Sequence, residues 1–442
     1  MLIFPASAEA DEELHGVWVS TIANLDYPST PTTDADRLRS EADEILNTCS
    51  ELGINAVFLQ ARPSGDAIYP SALYPYSAYL TGSQGTPPAD NSDILLYWIE
   101  QAHEKNIQLH AWINPYRVSG SSSAYLSPSN PAKQHPDWVV AYRNALYLDP
   151  GIPEAKEYVI NGVREIIENY DVDGIHFDDY FYPGKDFDDS ASYSIYGNGT
   201  EKADWRRSNT ESLIRETGAL IHRSKKDISF GVSPCGIWAN KGNMENGSDT
   251  TGASAYFDMY ADTLKWAKDE LVDYIAPQIY WYNGFKAADY GVLTGWWSEQ
   301  LSGNDTKLYI GLGDYRLDED IDSQSPWYDG NEIKKQMIMN KENERIDGEI
   351  HFRYKSITNN PPLYEKIKAE YTSEAPANQS NVPEECIYIY YDKFANPIYT
   401  KKDLQRFDIS RCRGFAPENA DYAKGIYFSA SGKVRQEHIS IK

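Results

Sequence analysis

The feature that most constrains this chain is an eightfold alternation of short apolar runs with segments of helical period. The apolar runs fall at residues 15–20, 55–62, 108–117, 174–181, 229–237, 274–281, 307–315 and 348–357. Helix-period segments separate them, for example residues 34–52, 91–105, 153–170 and 203–225. Strands that alternate with helices predict a parallel sheet, because parallel neighbours need a crossover long enough to hold a helix. Eight such units within residues 13–372 predict an α/β fold of the closed (β/α)8 type rather than an open doubly wound sheet. No G-x-G-x-x-G follows the first run, which argues against a dinucleotide site.

The connections are asymmetric. Helix-to-strand joints are tight, as in Glu51-Leu52-Gly53 and Asp171-Val172-Asp173, whereas strand-to-helix loops run long at residues 63–90, 118–152, 182–202 and 238–256. Long loops at strand C-termini are where barrels build clefts. The pattern stops after the barrel. Residues 373–385 read as a Pro-, Ala-, Asn- and Ser-containing linker, and residues 386–442 as a small β-rich appendage.

Net charge is −25, with 66 acidic against 41 basic residues. So acidic a surface repels phosphate backbones and excludes nucleic acid as the expected partner. No run of 18 apolar residues is present, so no transmembrane helix is expected. Residues 1–12 are read as an N-terminal segment, and its Ala6-Ser7-Ala8 step resembles the end of a signal peptide. The expectation is export: periplasm, cell surface or secreted, with possible envelope association. Cys49, Cys235, Cys386 and Cys412 lack C-x-x-C spacing. Cys386 and Cys412 could pair within the appendage, while Cys49 and Cys235 read as small buried hydrophobes.

Alternation within a strand sends every second side chain into the barrel lumen. In Gly174-Ile-His-Phe-Asp-Asp-Tyr-Phe181, the residues His176, Asp178 and Tyr180 share one parity, and Ile175, Phe177 and Phe181 the other. Asp178 is therefore predicted to point inward at the mouth of the barrel. A carboxylate there is costly unless hydrogen-bonded or used. The same parity argument predicts inward positions for Gln60 and Arg62, for His110, Trp112, Asn114 and Tyr116, for Gln278 and Tyr280, and for Glu349, His351 and Arg353. Such a lumen suits sugar hydroxyls better than a Val/Ile/Leu packing, although His110 and His351 also read as satisfied core groups. With 34 Tyr and 11 Trp the chain is rich in flat rings with a polar handle, and Tyr69, Tyr182, Trp238 and Trp281 are candidate stacking platforms.

Glycoside hydrolysis needs two carboxyl groups about the scissile bond. Asp178 is the candidate for the anionic role. The acid stays open among Asp179, Asp314 at the end of the seventh run, and Asp66 in the loop after the second. Arg62, Asn114 and Tyr280 are candidates to orient the sugar or tune the carboxylates. No cofactor and no metal are expected. Four strand histidines, His15, His110, His176 and His351, raise a metal-dependent amidohydrolase as an alternative, but no His-x-His closes the first run and His15 stands at its start.

Six blocks together resemble the bacterial glycosyl hydrolase-like 10 family. They are residues 14–20 (LHGVWVS), 59–69 (LQARPSGDAIY), 110–116 (HAWINPY), 173–180 (DGIHFDDY), 230–238 (FGVSPCGIW) and 274–281 (YIAPQIYW). The resemblance implies a TIM barrel, export to the cell envelope, and action on glycan strands, with peptidoglycan the leading substrate. The fourth block also looks like the D-G-x-R-x-D pattern of α-amylase-type barrels, which would put Asp178 on the nucleophile position. His176 stands where that pattern has Arg, and the fifth run holds no Glu at the acid position. Two other readings stand beside a glycoside hydrolase of the envelope: a glycan-binding barrel without activity, and a hydrolase of dietary or host polysaccharides.

Overall fold

The structure, a computed structural model, describes residues 13–224, 227–319 and 322–372, and in the C-terminal region residues 385–391, 397–403, 417–418, 420–428 and 434–440. The N-terminal segment, residues 373–384 of the linker and Cys412 lie outside the described residues.

Eight parallel strands close into a barrel: Leu14–Val19, Ala56–Arg62, Gln108–Ile113, Gly174–Phe177, Ser229–Val232, Tyr274–Ile275, Lys307–Leu312 and Gly348–His351. Each pairs with its sequence neighbours, and the first pairs with the eighth through Leu14↔Gly348 and Gly16↔Ile350. Helices follow the strands. The first, Ala35–Leu52, starts where Asp34 accepts hydrogen bonds from the backbone of Asp36 and Arg37, and stops at Gly53, whose φ of 78° is the left-handed cap. Its buried residues Leu38, Ala42, Ile45, Leu46, Cys49 and Leu52 form one stripe against the barrel. The loop after the third strand carries a small antiparallel sheet of Arg117–Ser119, Ala145–Leu148 and Val139–Tyr142.

Contacts divide the chain into the barrel unit, Glu13–Ser373, and a second unit holding the C-terminal strands. In the latter, Pro397–Asp403, Glu385–Tyr391, Tyr422–Phe428 and Val434–Ser440 form an antiparallel sheet in that order. No helix among the described residues is long and apolar enough to cross a membrane.

The barrel has two cores. Val17, Val19, Val57 and Leu59 point outward and pack with the helices. Leu14, Trp18, Ala56, Phe58, Trp112, Tyr274, Ala276 and Ile350 fill the lumen. Bulk at Tyr274 and His110 needs space opposite: a Cβ on Gly231 would stand 2.1 Å from the Tyr274 ring, and one on Gly174 2.1 Å from His110 Nδ1. Polar lumen groups satisfy one another. Trp18 Nε1 donates to His176 Nε2 at 3.2 Å, so the His176 proton sits on Nδ1, facing the Tyr274 hydroxyl at 3.0 Å. Tyr274 then donates to His110 Nδ1 at 3.1 Å. Burial holds the His176 imidazole well below its usual range, consistent with this neutral chain.

Candidate active site

The fourth strand ends at Phe177, and the next two residues emerge together at the rim. Asp178 is only 4% exposed. Register pairs Trp112 with His176, so Asn114, two residues on, stands level with Asp178. Trp112 Nε1 and Asn114 Nδ2 both donate to Asp178 Oδ2 at 3.1 Å, and the Tyr180 backbone N–H donates to Oδ1 at 3.3 Å. Burial, then the neighbouring Asp179 charge, push the Asp178 carboxyl up to about 7 against the pull of Arg117 and these donors. Asp179 is more open. Burial raises it to about 6, with Arg117 and the Gln278 side chain opposing.

The two carboxyls line one cavity of about 340 Å³, at the small end of the roughly 300–1,000 Å³ typical of ligand sites. Its walls come from several strands. Trp18, Ser20, Ile22 and Leu25 stand on the first strand and its loop; Gln60, Trp112 and Arg117 follow; Ser233, Gln278, Tyr280, Tyr315 and Phe352 close the far side. Gln60 Oε1 accepts from Thr21 N at 3.0 Å, Ile22 N at 2.9 Å and Ser20 Oγ at 3.3 Å, tying the first loop to the second strand. Gln278 Nε2 donates to the Ser233 carbonyl at 2.7 Å. The Arg117 guanidinium lies 4.0 Å over the half-exposed Tyr180 ring. Opposite stands an aromatic corner: Tyr280–Phe352 centroids are 5.7 Å apart, Tyr280–Tyr315 5.5 Å and Trp18–Phe352 5.9 Å.

Of the residues singled out in the sequence, the cleft brings together Gln60, Trp112, Asp178, Asp179, Tyr180, Gln278 and Tyr280, with Asn114 directly behind Asp178. Several others stand elsewhere, and five inward assignments, on the second, third and eighth strands, are corrected because strand parity breaks or runs opposite to the alternation read. A register shift between Gln60 and Arg62 turns Arg62 outward, where its guanidinium covers the Tyr74 ring at 4.0 Å and abuts Gly162. Tyr116, two residues beyond Asn114 and past the strand end, is buried in the outer core. On the eighth strand the parity is the reverse of that predicted: Ile350 and Phe352 face the lumen, while Glu349 and His351 reach the helices. Arg353 accordingly pairs with Asp26 at 3.0 Å, away from the cleft.

The remaining differences concern depth. His176 lies in the lumen layer below the cavity, where Trp18 Nε1 and Ser233 Oγ both contact its Nε2. Trp238 is buried, donates to Asp262 and stacks on Trp296. Trp281 packs against the outer core, and the platforms Tyr69 and Tyr182 are fully buried. Asp66 is held by Gln84 at 2.9 Å in a buried loop and is raised by burial to about 6, but it does not line the cleft. Asp314 pairs with His351 outside the barrel. The four strand histidines do not converge: His110 and His176 are in the lumen, and His15 stacks on Tyr371 outside it. Among the described residues no group of three His, Cys, Asp or Glu could hold a metal.

Parity alone could have found Trp18 and Ser20 on the first strand. Arg117 closes the Asn114-Pro-Tyr-Arg117 turn, and its cationic side chain was the one available signal. Nothing local in the sequence marks Tyr315 or Phe352, because the eighth strand gives way to the helix Tyr354–Thr358 within two residues.

Comparison with known proteins is consistent with this arrangement. The chain is 41% identical to glycosyl hydrolase YngK of Bacillus subtilis over 367 residues, covering 81% of this chain and 71% of that protein. It is 38% identical to glycosyl hydrolase DigH of Escherichia coli K12 over 374 residues, covering 79% and 85% respectively. The glycoside hydrolase domain of PgaB (BpsB) from Bordetella bronchiseptica superposes with a TM-score of 0.53 at 17% identity, over 80% of this chain and 98% of that domain, a likeness of fold alone. The family model for glycosyl hydrolase-like 10 matches residues 13–329, so the chain belongs to that family.

Proposed function

We propose that this protein is a glycoside hydrolase of a bacterial envelope glycan, with peptidoglycan glycan strands the favoured substrate. The observation that carries the reading is the pair Asp178 and Asp179 in one small cleft with aromatic and amide walls. Asp179, the more open of the two, gives a proton to the leaving oxygen, and Asp178, fixed by Trp112, Asn114 and the Tyr180 N–H, works as the anion. Arg117 limits the rise of both carboxyls. The names of the relatives support hydrolysis of a glycan, and the envelope setting is the part of the proposal that places the protein outside the cytoplasm.

The test is incubation of the full chain with denuded and intact peptidoglycan and a panel of polysaccharides, followed by mass spectrometry. Soluble sugar fragments from envelope glycan are expected. Tight binding without product would make the barrel a glycan-binding protein, and fragments from a dietary polysaccharide alone would move the substrate.

A further inference from the structure

We infer that the sugar on the glycone side of the scissile bond carries a 2-acetamido group, and that this group's own carbonyl oxygen is the nucleophile. The inference rests on reading the cleft as a glycosidase site and deepens it. A direct mechanism places two carboxyls on opposite sides of the sugar, about 5–5.5 Å apart for retention and about 6.5–9.5 Å for inversion. Among the described residues that line this cleft, the carboxylates are Asp178 and Asp179. They are chain neighbours leaving one strand end, their Cα atoms about 3.8 Å apart. Both are therefore anchored at the end of the fourth strand, and none of the other described lining residues, on any other strand, is a carboxylate.

The rest of the lining offers no substitute. Gln278 hydrogen-bonds Asp179 itself, and Tyr280, Tyr315 and Phe352 carry no carboxyl. Burial holds the Tyr280 hydroxyl well above its usual range, which makes it a poor nucleophile. Three further acids come near without entering. Asp26, behind Ser20, has both oxygens engaged by Ser20 N, Arg353 and Lys355 N. Asp314 and Glu349 belong to the outer network around His351 and Tyr371. A nucleophile missing from the protein can come from the substrate, as substrate-assisted glycosidases demonstrate.

The chemistry balances with the groups present. Asp179 donates its proton to the glycosidic oxygen as the C1–O bond breaks. The acetamido oxygen bonds to C1 and closes a five-membered oxazolinium ring, whose N–H proton Asp178 holds or takes. Water then adds to C1, giving its proton to the Asp179 carboxylate. The ring opens, Asp178 returns its proton, and the sugar leaves as a hemiacetal of retained configuration. One glycosidic bond and one water are consumed. Asp178 suits its part because three donors fix it and burial makes it more basic than an ordinary carboxylate. The corner of Trp18, Tyr280 and Phe352 supplies an apolar surface for the acetyl methyl.

The experiment compares full-chain protein on denuded peptidoglycan strands and chitin oligosaccharides with the same polymers after de-N-acetylation. The expected result is cleavage of the acetylated polymers at least about a hundredfold faster, since an intramolecular nucleophile is lost on deacetylation. A thiazoline mimic of the closed ring should inhibit, and the first-formed anomer should be retained. Equal cleavage of both forms overturns the inference while leaving glycosidase activity intact. So does a glycosyl–aspartate adduct trapped by a 2-deoxy-2-fluoro glycosyl fluoride, or cleavage confined to a neutral polysaccharide. Absence of cleavage on every glycan overturns both readings.

Discussion

Asp314 Oδ1 stands 2.8 Å from His351 Nδ1, with both side chains fully buried between the barrel and its helices. His351 Nε2 continues to the Tyr371 hydroxyl at 2.7 Å, and Tyr371 donates to Glu349 Oε1 at 2.7 Å. Burial opposes a charged imidazole here, but the Asp314 charge and hydrogen bond, with Glu349, outweigh it and hold His351 above its usual range. The pair fastens the seventh and eighth strands to the helix Pro361–Thr372, and it is a matter of stability.

Asp314→Ala should lower stability by about 3–5 kcal/mol, the cost of leaving one partner of a buried ion pair alone. The folded fraction should keep near wild-type specific activity. The sign with pH follows from the raised imidazole: its contribution is full below about pH 6.5, the unfolded value, and fades as pH rises through the folded one. Denaturant titrations at several pH values check this, and a gap between wild type and variant that widens with pH would contradict it.

Asp178 shifts stability with pH in the same direction, here through the cost of its buried charged form. Its folded carboxyl, at about 7, lies above the unfolded value of about 3.9, so the folded state binds more protons between them. Stability should therefore fall as pH rises from about 4 to about 7. Asp178→Asn removes that loss, and the variant should be more stable than wild type at pH 8, on the order of 1–4 kcal/mol, with no advantage at pH 4. Thermal melts at the two pH values read it directly.

The acid–base pair should give a bell-shaped pH dependence of kcat/KM. With carboxyls raised to about 7 and about 6, the pair Asp178 and Asp179 holds a single proton most fully between those values; that proton favours Asp178 and acts in the fraction of molecules where it sits on Asp179, so activity should peak there. Arg117 pulls both carboxyls down, so Arg117→Ala should move the whole bell to higher pH. An unmoved profile would remove Arg117 from the electrostatics of the cleft.

Gly162→Ala tests the outward turn of Arg62. A Cβ there would stand 2.0 Å from Arg62 Nη1 and 2.8 Å from the Tyr74 ring. The expected cost is about 1–3 kcal/mol from overpacking, read as a lower Tm with kcat unchanged. A neutral substitution would mean that Arg62 rests elsewhere.

Alternation along the chain carried most of the fold: eight apolar runs lie on or around eight barrel strands, and the inward place of Asp178 follows from its parity with His176. Parity also explains the failures. The shift at Gln60/Arg62 breaks it on the second strand, and on the eighth the set opposite to the one read as inward, Ile350 and Phe352, faces the lumen. Arg62 looks inward on paper because alternation does not show the register shift, and Arg353 because it shares its parity with the polar Glu349 and His351. The choice among the acid candidates stayed open in the sequence for a related reason: Asp179 has the parity of a helix-facing residue, yet the strand stops at Phe177 and frees it to turn into the cleft, where Asp66 and Asp314 do not stand. Depth is a separate blind spot. Trp238 and Tyr182 sit on rim loops, but their rings are packed inward, which local pattern does not encode.

The most direct measurement of the central claim is the turnover of Asp178→Asn beside wild type on a glycan that wild type cleaves, with folding verified by circular dichroism and thermal melting. The account predicts a folded, fully melting protein whose kcat is lower by about 10²–10⁴-fold or more. A well-folded variant within tenfold of wild type would contradict it and move the chemistry to another group.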